Sequence, residues 1–101
     1  MSKKQIKTSE WQERLQTFTS GNKNRTAAIA TDGMTVVENT SLVSVDYDPP
    51  GKGNALTITL EGFTHTVSAP VELYLTEEVN GVVSTLEVVD QNGTSTFLRL
   101  I

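Results

Sequence analysis

His65 is the one histidine in a chain that has no cysteine, so a general base or a metal ligand would have to be built from this imidazole and carboxylates. It sits in Phe63-Thr64-His65-Thr66-Val67, where threonines alternate with Phe63, His65 and Val67. That alternation puts the ring on an apolar strand face, which argues for a half-buried imidazole bonded to backbone or to a threonine hydroxyl. Other groupings are weaker. Asp46, Asp48, Gly51 and Asn54 have the oxygen-rich character of a calcium loop, but Pro50 stands where a third ligand is wanted and no bidentate Glu follows. A strand end and turn cap explains them better. Pro50-Gly51-Lys52-Gly53-Asn54 lacks the spacing of a phosphate loop, its Ser/Thr after Lys and its following helix.

Glu72, Glu77, Glu78 and Glu87 could supply the facing carboxylates that glycoside chemistry needs. The strand register derived below sets Glu72, Glu78 and Glu87 on a polar outer face, where solvated carboxylates are the default. Ser68 lies near His65 but has no acidic third partner, and no Gly-x-Ser-x-Gly elbow occurs. The residues therefore assign no catalytic side chain, no cofactor and no metal ligand. The chain is read as a non-enzyme, with His65 as the candidate if a pocket forms around it.

At 101 residues the chain makes one domain. Its net charge is −4, and three of its lysines fall within the first seven residues. That acidic balance speaks against DNA and RNA as partners and offers no basic patch to anionic lipid. The absence of cysteine excludes disulfides and thiolate chemistry and agrees with a reducing compartment. The N-terminus carries charge with no apolar run behind it, so a cytoplasmic location is expected.

The elements that must position any site follow from periodicity and turn chemistry. Residues 1–7 are expected to be a flexible arm and residues 8–101 the single domain. Ser9 and Gln12 form a capping-box pair before a helix whose Trp11, Leu15 and Phe18 share one side, with Gly21 ending it. From Thr26 onward the signals are those of six to eight short strands. Asp32-Gly33 and Asn80-Gly81 each suit a two-residue type I′ turn. With Asn80-Gly81 as the turn, Val79 faces Val82, Glu77 faces Ser84, Leu75 faces Leu86 and Leu73 faces Val88. Glu61-Gly62 as a turn sets Leu60 against Phe63, Ile58 against His65 and Leu56 against Val67. A three-residue loop closed by Gly93 sets Leu86 against Leu98; a two-residue turn would instead set Val88 against Phe97 and Leu86 against Arg99. The sum predicts an α+β domain: an N-terminal amphipathic helix packed on an antiparallel meander sheet, curled into a small, partly open barrel.

A helix opening on Glu10-Trp11, a Thr64-His65-Thr66-Val67 strand with Pro70 after it, and Asp90-Gln91-Asn92-Gly93-Thr94 leading to Leu98-Arg99 resemble a family of small bacterial proteins known only as a domain of unknown function. The resemblance covers most of the chain after residue 8. It implies a single-domain cytoplasmic protein and hands over no catalytic residue.

Function is expected to lie in contact with an unknown protein partner or in self-association, without membrane or DNA. The outer face of the last hairpins, with Tyr74, Val83, Glu87 and Val89, interleaves apolar and charged groups as interface rims do, and a sheet edge could pair across a two-fold axis. The alternative is a small-ligand or RNA-binding barrel of the Sm-like kind, by analogy of fold. An enzyme built on His65 ranks third.

Overall fold

The structure is a computed structural model and describes residues 2–101. In chain order it contains β1 (Ser2–Gln5), a 3-10 turn (Thr8–Glu10), α1 (Trp11–Asn22), β2 (Thr26–Thr31), β3 (Met34–Asp48), β4 (Ala55–Leu60), β5 (Phe63–Ser68), β6 (Pro70–Glu77), β7 (Val83–Asp90) and β8 (Ser95–Leu100). The strands form one antiparallel sheet in the order β1-β6-β7-β8-β2-β3-β4-β5. Two local meanders, β2 to β5 and β6 to β8, are therefore joined through β2 and β8. The sheet does not close, because β1 and β5 stand at its two ends.

The turn chemistry decides most of the register. Asp32 and Gly33 both have positive φ, 52° and 77°, as a type I′ turn requires, and Thr31 pairs with Met34. Across Glu61-Gly62 the pairs are Leu60 with Phe63, Ile58 with His65 and Leu56 with Val67, as the alternation predicts. Gly93, at φ 83°, closes a three-residue loop in which Asp90 N donates to Thr94 O, and Leu86 pairs with Leu98.

The β6–β7 turn departs from expectation. Glu78 N donates to Val82 O and Gly81 N to Glu78 O, so the loop is Val79-Asn80-Gly81 rather than Asn80-Gly81 alone. Lengthening the loop by one residue would swap the faces of every side chain downstream. A bulge at Ser84 compensates: Glu77 pairs with Val83, Thr76 with Thr85, and Leu75 still meets Leu86. The buried leucines thus hold their register against the turn's own preference.

The N-terminal segment departs from the flexible arm expected over residues 1–7, of which residue 1 lies outside the described residues. Ser2–Gln5 pairs with β6, with Ser2 opposite Glu77 and Gln5 opposite Tyr74. Ile6 is buried, its N–H donates to Leu73 O, and its carbonyl accepts from Trp11 Nε1 at 2.8 Å. Hydrophilic side chains hid this strand, because both faces of β1 remain exposed and only its backbone and Ile6 are engaged.

Leu15, Phe18 and Trp11 are buried on α1 as the i, i+4, i+7 spacing requires. The expected capping box is not made: a 3-10 turn precedes the helix and its cap residue, Glu10, makes no side-chain cap bond. Gly21 lies inside the helix, which ends one residue later. Trp11 meets the Tyr47 ring edge-on, with centroids 4.9 Å apart.

Helix α1 has a second task. Beyond Ser41 the 15-residue β3 has left β2 behind, and α1 covers the backbone edge this exposes. The Thr19 hydroxyl bonds both Val45 N (3.0 Å) and Val45 O (3.3 Å), and Gln12 Nε2 reaches Tyr47 O. One hydrophobic cluster runs from Trp11 through Leu42, Val45 and Ile58 to Leu73, Leu86 and Leu98. Among the described residues no helix is long and apolar enough to cross a membrane.

Candidate functional site

His65 is half-buried at the centre of β5 and opens into a surface depression of about 320 Å³, shared with Thr31, Asp90, Asn92 and Thr96. Partial burial pulls its pKa below the ordinary 6.5, so the ring is held toward its neutral, proton-accepting form. No hydrogen bond orients it among the described residues. Asp90, a carboxylate lining the same depression, is occupied: its Oδ1 accepts from Asn92 N (2.9 Å) and Thr94 N (3.0 Å) and so caps the turn. The Thr31 and Thr96 hydroxyls lie 3.1 Å from each other. The arrangement brings a neutral imidazole to a polar recess without the second group that would aim it. Among the described residues no three His, Asp or Glu side chains are grouped to hold a metal ion.

The glutamates are divided rather than paired. Glu72 Oε1 accepts from the Tyr74 hydroxyl at 2.7 Å, a bond that pushes the phenol pKa above its usual 10. Glu87 is no solvated carboxylate. Its side chain is only 12% exposed, pairs with Lys3 Nζ at 2.8 Å and accepts from Ser95 Oγ. Glu78 accepts a long bond from Ser84. Asp46 accepts from Ser44, two residues earlier on β3.

Of the four residues assigned to an outer interaction face, Tyr74, Glu87 and Val89 share it and Val83 does not. Tyr74 pairs with Glu87, which pairs with Phe97, placing the three in one row across β6, β7 and β8. Val83 is turned to the opposite side by the bulge at Ser84 and packs against the core. The face is also partly used internally: Lys3 from β1 lies 4.8 Å over the Tyr74 ring while binding Glu87.

A cleft of about 500 Å³ between α1 and the β6–β7 tip was not anticipated. Arg14, Phe18, Gly21 and Arg25 form one wall, and Leu75, Glu77, Val82 and Val83 face them. Arg25 is fixed there, with Nη1 donating to Asn22 Oδ1 (2.8 Å) and to Val83 O (2.7 Å). Asn22, buried, donates in turn to Phe18 O. The spacing of Arg14, Phe18 and Gly21 along one flank of the helix, with Arg25 in the loop that follows, was the available signal. What faces that flank depends on where the hairpin docks, which local pattern does not state.

No curated protein and no solved structure matches this chain. A family model does match, over residues 2–101, and its description is a family of unknown function, DUF5335. The chain belongs to that family.

Proposed function

We propose that this chain is a non-catalytic interaction module that self-associates by strand pairing along β5. The observation that carries this reading is the contrast between the two ends of the sheet. Edge strands are kept from pairing by brevity, lysine, proline or bulges. Strand β1 has four residues, two of them lysine. Strand β5 has six, with no charge, no proline and an unshifted ladder to β4. The third exposed backbone edge, along the second half of β3, is covered by α1.

On this reading the sheet is a partly open barrel whose seam falls between its end strands, β1 and β5. Ala69, with φ 51°, kinks the chain between β5 and β6, consecutive strands that share no ladder. A second copy is a suitable strand donor because β5 brings no like charges together despite the net charge of −4, and its exposed Thr64 and Thr66 can pair across a two-fold axis. Six residues a side fall short of the roughly 1,200 Å² of stable interfaces, so the dimer is weak and concentration-dependent.

Sedimentation over a wide concentration range tests this. The expected mass rises from 11.0 kDa toward twice that value, and Thr64→Lys with Thr66→Lys returns it to monomer with an unchanged circular dichroism spectrum. A wild-type chain that stays monomeric at about millimolar concentration, beyond the micromolar range of weak specific pairs, overturns the proposal.

A further inference from the structure

The cleft between α1 and the β6–β7 tip is independent of the β5 edge, and we propose that it binds a small monoanionic carboxylate with an apolar body. Its volume of about 500 Å³ falls inside the range of small-molecule sites. At about 30 Å³ per packed water-sized group, that is room for roughly 15 non-hydrogen atoms. Phe18, Leu75 and Val83 supply an apolar lining for the body of such a molecule.

The polar end is set by Arg25. Its two bonds from Nη1 use that nitrogen's hydrogens and leave the Nη2 pair and Nε–H, the donor set that grips a carboxylate in a fork. No carboxylate pairs with Arg25 among the described residues, whose ion pairs are Lys3 with Glu87 and Arg14 with Glu10. The guanidinium is already immobilised by a buried Asn22 and a backbone carbonyl, so little ordering remains to oppose binding. Arg14 adds a second positive charge and holds Glu10 only loosely, at 3.7 Å. With Glu77 on the far wall, the lining carries two positive charges and one negative, a sum of +1. That suits a monoanion better than a phosphate dianion. In a chain of net charge −4, this is a local reversal of sign.

The probe is decanoate, with decanol as the uncharged control, titrated by calorimetry and by amide chemical shifts. Decanoate is expected to bind at least tenfold more tightly than decanol and to shift the amides of Phe18, Leu75 and Val83. Arg14→Gln, at a half-exposed side chain, weakens decanoate at least threefold and leaves decanol unchanged. Gly21→Leu closes the cleft from the helix side, where a Cβ meets nothing within 4 Å, and abolishes binding in a folded protein. Equal affinity for acid and alcohol, shifts confined to other surfaces, or undiminished binding to the Gly21→Leu protein would each overturn the proposal.

Discussion

His65 and Trp11 are the two side chains that stand out in the sequence, and burial gives them opposite consequences. For His65 the folded-state pKa lies below the 6.5 of a free imidazole, because partial desolvation penalises the charged ring. Between those two values the unfolded chain binds more proton than the folded one. Stability is therefore full above about pH 6.5 and falls as pH is lowered through the window toward the depressed folded value. The expected result is a ring-proton titration midpoint below 6.5, and a loss of urea resistance on acidification from about pH 7 to about pH 5.5 that shrinks in His65→Gln. For Trp11, 1% exposed, the polar handle matters as much as the ring. Its Nε1–H is a partner for the Ile6 carbonyl, so Trp11→Phe leaves that acceptor unsatisfied near the core. A cost of about 1–3 kcal/mol is expected from denaturant unfolding, before any loss of packing.

At the scale of elements, the informative feature is how the β6–β7 hairpin reconciles a three-residue loop with a register set by Leu73, Leu75, Leu86 and Val88. Val79 is 94% exposed at the tip, and its removal leaves Asn80-Gly81 between Glu78 and Val82, a loop that a type I′ turn spans. Every flanking pair and the bulge at Ser84 are then retained. Deletion of Val79 is expected to change stability by less than about 1 kcal/mol, whereas Leu86→Ala at the same hairpin's core costs about 2–5 kcal/mol. Both are read from the denaturation midpoint at constant m value.

The same hairpin shows what was legible in the sequence. Alternation put Val71, Leu73, Leu75, Leu86 and Val88 on the buried face; the last four are buried, because their burial outweighs the preference of a turn dipeptide, whereas Val71 is exposed at a register shift between Pro70 and Glu72. The loop length, and with it the side on which Val83 lies, was not legible, since Asn-Gly serves both loop lengths and a bulge leaves no periodic mark. Strand β1 was hidden for a related reason. A strand exposed on both faces has no alternation to read, and its pairing partner lies some 70 residues away in sequence. The Arg14 and Arg25 cleft shares that dependence on distant docking, whereas the His65 face was readable from five consecutive residues.

For the whole molecule, the question is whether the two meanders are one cooperative unit. Local pairing accounts for β2 through β5 and for β6 through β8, but the β2–β8 ladder that joins them pairs Ala27 with Leu100 and Ile29 with Leu98. Those non-local contacts follow closure of a long loop, so each meander gains its full protection only after β8 has found β2. Ile29 and Leu98 are both fully buried, and the cluster they belong to also contains Ile58 of β4 and Leu73 of β6. Leu98→Ala therefore removes packing from a core that both meanders share, at about 2–5 kcal/mol. In native-state hydrogen exchange, the slowest amides of β4 and of β7 are expected to lose the same protection, since both exchange through global opening. Amides of β4 that keep their wild-type protection while those of β7 lose it would mean that the meanders open separately, with the β2–β8 ladder a contact between two units.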